Sequence, residues 1–266
     1  MHPILRGFEH RNFRLFFIGQ TLTMVGVWMQ YIAISWLMYR LTHSAFMLGM
    51  TGFALQIPIL LISPFAGVWV DRYSRRKLLL VAAVSMTTSP YQHLMPIFAG
   101  QVFGGDARTL GMLISGAGLG ALAGTAYLAG RTSLRGLSRI IIVASFCAGT
   151  GLMLFSQSHL LWLSLGLMLP IGFGLIVTAT STNTILQTIA DEDKRGRVVA
   201  IYGMCFLGAA PIGNFIAGSV ASRIGAPYTL FVLGALCTLA AASFALRLQS
   251  WREAIRPVYR RLGVVQ

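Results

Sequence analysis

The densest group of charged side chains lies in a short polar segment between two long apolar runs. Residues 67–77 read GVWVDRYSRRK and place one acid, Asp71, among four cations. A carboxylate in such a segment can form ion pairs, and it can also stabilise the positive N-terminal end of a neighbouring helix. The cations alone would serve as anchors at a membrane surface. The segment therefore predicts a polar contact site at the edge of a membrane.

Two pairs of side-chain amides lie within apolar runs. Gln20 and Gln30 share one helical stripe of the first run, and Asn183 and Gln187 share one face of a later run. Amides are costly in hydrocarbon, so these side chains must face other helices or a wet cavity. The pattern leaves two interpretations open, namely a cavity that receives a substrate and hydrogen bonds between helices.

His93 is an ionisable residue inside an apolar run. It is the last residue of the polar stretch TTSPYQH at 87–93. An imidazole titrates near neutral pH, so His93 is a candidate site for carrying a proton. The alternative is a polar, kinked junction at Pro90 that has no functional role. The sequence favours this structural alternative.

The apolar runs define the elements that must position these residues. The chain has 266 residues, of which 56% are hydrophobic and 11% are charged, whereas a soluble domain carries about a quarter charged residues. Runs of about 20 apolar residues are long enough to cross a bilayer as helices. We predict an all-α, polytopic transmembrane helix bundle with eight spans, near residues 14–39, 46–70, 78–100, 108–129, 139–157, 160–186, 198–221 and 227–247.

The positive charges set the predicted orientation of these spans. With the N-terminus in the cytoplasm, eighteen Lys and Arg residues fall on the cytoplasmic side, and Arg40, Arg108 and Arg223 fall on the other. Such a bias is typical of the positive-inside rule, so both termini are predicted to be cytoplasmic. The net charge of +14 then reflects topology and contact with the lipid bilayer, which disfavours nucleic acid as a partner.

Signals for enzymatic chemistry are missing from the sequence. It contains no G-x-S-x-G, no glycine loop followed by a phosphate-binding lysine and no His/Cys spacing for a metal. All seven acids lie in predicted loops or tails. Cys147, Cys205 and Cys237 lie inside apolar spans and are predicted to be small packing residues. We expect no enzyme, no cofactor and no metal.

The fourth predicted span carries a glycine stripe. Gly116, Gly120 and Gly124 recur every four residues, with Gly111 and Gly118 beside them. Small residues at that spacing allow two membrane helices to approach closely. The stripe predicts helix packing rather than a substrate site.

The polar segment also resembles a known motif. Its pattern Gly67-x-x-x-Asp71-Arg72-x-x-Arg75-Arg76, placed after the second span, resembles the signature loop of the major facilitator superfamily. Residues 195–198 (RGRV) and the Gly/Pro pattern at 208–218 resemble the same family around its eleventh helix. The sequence as a whole is similar to the enterobactin and drug exporter branch of that family.

The resemblance implies a shortened architecture. Members of the family have twelve spans in two six-helix halves, and this chain has eight predicted spans. Residues 1–88 resemble spans one to three of the N-terminal bundle, and residues 89–247 resemble the end of span seven through span twelve. An internal deletion at the polar junction would account for the eight spans. Spans three and seven of the family run in the same direction, so joining them leaves the topology of the later spans unchanged. Residues 248–266 then form a basic cytoplasmic tail.

The resemblance also implies roles for the polar segment. In the family, the loop acid sits against the start of the eleventh helix and helps to lock one conformation. Asp71 carries that role here, and Arg195, Gly196 and Arg197 form the helix start. The loop arginines normally also meet acids of the fourth span, which this chain lacks. Topology anchoring is the alternative for the cations, favoured for Arg76 and Lys77.

The implied activity is secondary-active efflux of a small siderophore- or drug-like molecule by alternating access in a bacterial inner membrane. A coupling proton is a further expectation from the family. The substrate cavity would be lined by Gln20, Gln30, Asn183 and Gln187. The alternative is a transport-incompetent remnant or a membrane interaction module, because four spans are missing. Two copies that complete each other's cavity, in a homo-oligomer, would restore transport.

Overall fold

The computed structural model describes residues 11–67, 90–131, 136–189 and 195–246. They form eight α-helices, and no strand occurs in these ranges, which confirms the all-α prediction. The predicted spans agree with the helices where both are described; the span predicted for 108–129, for example, is the helix Ala107–Ala129. The helices are α1 (Arg11–Thr42), α2 (Ala45–Gly67), α3 (Pro90–Ile97), α4 (Ala107–Ala129), α5 (Leu137–Gln157), α6 (Leu161–Ile189), α7 (Arg195–Ile224) and α8 (Ala226–Leu246).

Several of these helices are long and apolar enough to cross a membrane. Within the described part of the chain they are α4, α5, residues Leu161–Ile185 of α6, and α8. The shorter segment Ala45–Pro58 of α2 is also apolar. The protein is thus an integral, multi-pass membrane protein.

Helices α4, α6, α5 and α8 pack side by side in that order, and we call them the four-helix unit. Glycines bring their backbones together. A Cβ at Gly120 of α4 would overlap the carbonyl oxygen of Leu169 in α6, and one at Gly149 of α5 would lie 2.8 Å from the carbonyl oxygen of Gly234 in α8. The predicted role of the α4 glycine stripe in helix packing is confirmed, because its central glycine lies directly against the α6 backbone.

Helix α2 packs along α7, and the two helices run antiparallel. A Cβ at Gly218 would lie 3.0 Å from the carbonyl oxygen of Ala45, and one at Gly49 would lie 2.6 Å from the carbonyl oxygen of Asn214. Residue numbers therefore rise along α2 as they fall along α7. The C-terminal end of α2 and the N-terminal end of α7 consequently lie at the same end of the bundle.

The short helix α3 contacts α1, α2, α4, α7 and α8 and joins the two packing systems. It continues into a π-helical turn, Phe98–Val102, in which the Phe103 N–H donates to the Phe98 carbonyl oxygen at 2.9 Å. Pro96 lacks an N–H and interrupts the α-helical ladder just before this turn. Leu94 and Phe98 are fully buried. The segment from Pro90 to Ala99 therefore lies at the buried centre of the fold.

Candidate functional site

The antiparallel packing of α2 and α7 determines where the signature loop begins relative to the start of α7. Gly67 ends α2, and Arg195, Gly196 and Arg197 form the first turn of α7. The structure thus brings the start of the loop and the predicted helix partner to one end of the bundle. Two glycines of the interface, Gly49 and Gly218, allow the contact between these helices, since a Cβ at Gly49 would lie 2.7 Å from the Cα of Gly218.

The other loop residues singled out in the sequence, Asp71, Arg72, Arg75 and Arg76, lie outside the described residues. The side chains at the start of α7 lie outside the described part as well. The pairing between the loop acid and this helix start stays a prediction.

His93 is buried where α3 meets α1 and α2. Its Nδ1 lies 3.3 Å from the hydroxyl of Tyr31 in α1, and the two rings meet edge to face with centroids 5.3 Å apart. On the other side the imidazole fits against Gly52 of α2, where a Cβ would lie 2.6 Å from Cε1. The histidine therefore links three helices, and a larger residue at position 52 would displace it.

Further polar side chains extend this cluster. Ser35, one turn after Tyr31 in α1, is also buried. Tyr91 of α3 is also buried, and its hydroxyl accepts a hydrogen bond from Nε2 of Gln92 at 3.3 Å. The facing turns, residues 28–35, 48–56 and 90–97, contain no Asp, Glu, Lys or Arg. Within these three turns, the residues that face the imidazole are uncharged.

Sequence reasoning identified His93 but missed its partners. Tyr31 follows Gln30 directly and lies beside the stripe of Gln20 and Gln30 already noted in the first span. The tyrosine hydroxyl at that position was the sequence feature that could have identified Tyr31 as part of the site. The choice of His93 as its partner, 62 residues away, required the structure.

The predicted cavity amides fall into two different settings. On α6, Asn183 and Gln187 are half-buried, and Nε2 of Gln187 donates to Oδ1 of Asn183 at 3.2 Å. On α1, Gln20 and Gln30 are exposed and have no hydrogen-bond partner among the described residues. The two α6 amides therefore hydrogen-bond to each other, whereas the two α1 amides are exposed and form no hydrogen bond with a described residue.

Asn214 of α7 is a polar residue that the sequence analysis did not select. Its side chain is only 1% exposed, and neither Oδ1 nor Nδ2 has a hydrogen-bond partner among the described residues. An unpaired buried amide is costly, so this residue lowers the stability of the α2–α7 contact in this conformation.

The described residues contain no group of His, Cys, Asp and Glu side chains that could hold a metal. Cys147 and Cys237 are free thiols in the four-helix unit, and Cys237 is buried with its sulfur 3.5 Å from the carbonyl oxygen of Ser145. This placement fits the predicted packing role. The side chain of Cys205 is outside the described part.

Comparison with known proteins supplies the context for these features. A family model described as transmembrane secretion effector matches the chain in two overlapping segments, residues 4–92 and 82–260. The staphyloferrin A transporter of Staphylococcus aureus (strain NCTC 8325 / PS 47) is 33% identical over 72 residues. That alignment covers 27% of this chain and 18% of the transporter, so the matched part is less than a fifth of that relative's length.

Proposed function

Because the chain belongs to the transmembrane secretion effector family of major facilitator transporters, we propose that it exports a small molecule by secondary-active transport. The proposed location is a bacterial inner membrane. The staphyloferrin A transporter among its relatives supports a siderophore- or drug-like substrate. The observation that carries the proposal is the α2–α7 contact, which brings the loop-bearing end of α2 to the start of α7.

The proposed mechanism is alternating access controlled at this end of the bundle. A carboxylate at a helix N-terminus is favourable by up to about 1 kcal/mol when exposed. Asp71 would therefore stabilise the closed position of α2 against Arg195, Gly196 and Arg197. Release of that contact would let the two helices separate and open the cavity on the cytoplasmic side.

We assign the coupling proton to His93. When Nδ1 is unprotonated it accepts from the Tyr31 hydroxyl, whereas an imidazolium has only donors. Protonation would then force the tyrosine hydroxyl to become the acceptor, which changes the contact between α1 and α3. The Tyr31 hydroxyl supports this role, because it can donate to the neutral imidazole and accept from the imidazolium.

The substrate cavity is assigned to the amides Gln20, Gln30, Asn183 and Gln187. The test is accumulation of a fluorescent drug and of a siderophore in cells that express the protein. We expect Gln30→Ala and Asn183→Ala to raise accumulation relative to the unmodified chain. Gln157→Ala is the control, because Gln157 is an exposed amide at the end of α5. Unchanged efflux in both cavity variants would refute the assignment.

A second candidate function is a transport-incompetent remnant or membrane interaction module. The observation in its favour is that the family model matches two segments that overlap at residues 82–92, around the polar junction at 87–93. Such a match supports a deletion between the two segments. Sequencing of the neighbouring coding DNA discriminates the two candidates, since the missing spans in an adjacent reading frame would favour the remnant.

A further inference from the structure

Helices α2 and α7 are in close contact at the end of the bundle opposite the signature loop. Gly49, near the start of α2, lies against Gly218, near the end of α7, since a Cβ at Gly49 would lie 2.7 Å from the Cα of Gly218. The ring of Phe215 lies against both Phe46 and Phe53 of α2, with centroids 5.9 and 5.8 Å apart. The positive-inside bias predicts that this end faces the outer side of the membrane. The outer ends of α2 and α7 are therefore closed against each other in this structure.

Each of these two helices contains a proline between the outer contact and the loop-bearing end. Pro58 lies inside α2, and Pro211 lies inside α7. A proline removes a hydrogen bond of the helical ladder, so the helix can bend at that point. The segments that can move about these bends are 45–57 of α2 and 212–224 of α7, which we call the outer arms. The glycine and phenylalanine contacts all lie between the two outer arms.

Asn214 makes the closed position of the outer arms less favourable. It lies one turn before Gly218 on the same face of α7, and its backbone carbonyl oxygen would lie 2.6 Å from a Cβ at Gly49. Its side chain is buried, and neither amide atom has a hydrogen-bond partner among the described residues. The closed arms thus keep water away from an amide to which they offer no partner, which is destabilising. Separation of the arms would let water reach the amide.

We propose that the outer arms form the outer gate of the transporter and that Asn214 favours its opening. The glycine and phenylalanine contacts hold the arms together, and the unpaired amide opposes them. The closed gate is therefore less stable than its apolar packing alone would make it. Asn214 lies ten residues before Ile224, the last residue of α7, which is about 15 Å at 1.5 Å per residue. An opening that hydrates this amide would reach the middle of the membrane, where transporters hold their substrate.

The gate rests on the proposed transport by alternating access, in which an opening on the outer side releases the substrate. The movement of the outer arms is nevertheless measured without a substrate. If the arms open as expected and the unmodified chain exports nothing, the proposed efflux is refuted and the movement of the arms stands.

The first test measures how fast a membrane-impermeant maleimide, added outside intact cells, reacts with a thiol between the arms. In the full-length chain with its three cysteines changed to Ala, Ala221→Cys places a thiol one turn after Gly218, at a position that is 4% exposed. We expect this thiol to react slowly, and roughly fivefold more slowly when Asn214→Leu is added. Gln157→Leu, a change of an exposed amide at the end of α5, should leave the rate unchanged.

A second variant acts in the opposite direction and keeps the proposal falsifiable if Asn214→Leu misfolds. Gly49→Ala places a methyl group against the backbone of α7, so the arms should close less well and the thiol at position 221 should react roughly fivefold faster. Gly203→Ala is the matched control on α7, because a Cβ there meets nothing within 4 Å. Ala117→Cys, at a buried position of α4 in the four-helix unit, should stay unlabelled in every folded chain, which separates gate opening from general unfolding.

Three results would overturn the proposal. They are a thiol at position 221 that does not react in the otherwise unmodified chain, an equal or faster reaction in a folded Asn214→Leu chain, and an unchanged rate with Gly49→Ala. A slower reaction with Asn214→Leu together with a faster one with Gly49→Ala would support the gate.

Discussion

Most hydroxyl side chains of the four-helix unit hydrogen-bond within their own helix, as do Thr42 of α1 and Ser219 of α7. The group α1, α3 and α7 differs in that it also contains a polar contact between helices and a buried amide with no partner among the described residues. In the four-helix unit, Thr125 donates to the Ala121 carbonyl oxygen at 2.9 Å, and Ser243 donates to that of Leu239 at 2.8 Å. In the other region, the Tyr31 hydroxyl of α1 meets the His93 ring of α3, and Asn214 is buried without a partner among the residues that the structure describes.

The two regions therefore differ in the kind of contact that holds their helices together. Helices in the four-helix unit associate mainly through glycine contacts, which contribute close van der Waals packing. A hydroxyl contact also joins α5 to α6, where Ser145 Oγ lies 3.0 Å from Thr178 Oγ1. The helices around α3 combine a glycine contact, Gly49 against Gly218, with the polar contact between Tyr31 and His93. We infer that the four-helix unit is the rigid part of the molecule and that conformational change occurs at α1, α2, α3 and α7.

The largest expected effect is a loss of stability on filling a glycine contact of the four-helix unit. Gly120→Ala places a methyl group against the backbone of Leu169, and we expect it to lower the free energy of unfolding by about 1–3 kcal/mol. Gly118→Ala is the matched control, because a Cβ there meets nothing within 4 Å. It should be neutral or stabilising by up to about 1 kcal/mol. Thermal unfolding in detergent measures both, and equal effects would contradict the packing role.

The next effect should have the opposite sign and occur at the α2–α7 contact. Asn214→Leu replaces a buried amide that has no partner with an apolar side chain of similar shape. We expect the free energy of unfolding to rise by about 1 kcal/mol. Asn183→Leu serves as the comparison and should not stabilise, because it removes the acceptor of Gln187. A decrease in stability for the Asn214 variant would show that its amide is paired.

A smaller change in stability with a large change in activity is expected at the junction. His93→Phe removes the bond with Tyr31, which should cost about 0.6 kcal/mol, a typical value between membrane helices. Efflux should nevertheless be lost, because no other group in the facing turns carries the proton. His43→Phe, in the exposed turn after α1, should retain efflux. Normal efflux by the His93 variant would rule out the proton role.

The smallest effect is expected for a hydroxyl bonded to its own helix in the four-helix unit. Thr125→Ala removes a bond to the preceding turn on an exposed position. Such bonds contribute little to helix stability, so the change should stay within about 0.5 kcal/mol. A loss above 1 kcal/mol would contradict the contrast between the two regions.

The helices could be predicted from the sequence because each apolar run carries its own length signal. The span predicted for 227–247 corresponds to Ala226–Leu246, and the glycine stripe of α4 was correctly assigned to packing. These are local properties, since helical periodicity and run length need no knowledge of distant residues.

The partners of these features could not be predicted from the same signals. Gly49 and Gly218 touch although some 170 residues separate them. Gly218 belongs to the Gly/Pro pattern noted at 208–218, but that pattern did not identify Gly49 as its partner. The cluster around His93 depends on Tyr31 and Gly52, which read as ordinary residues of apolar helices. Contacts of this kind arise from the arrangement of whole helices, which periodicity does not encode.

The role of the loop acid in transport is the central claim, and efflux by cells expressing Asp71→Asn tests it most directly. Asp106→Asn is the matched control, because Asp106 caps α4 through bonds to the Arg108 and Thr109 N–H groups and asparagine caps equally well. We predict efflux by the unmodified chain and by Asp106→Asn, and loss of efflux by Asp71→Asn. Equal efflux by all three chains, or none by the unmodified chain, would contradict the account.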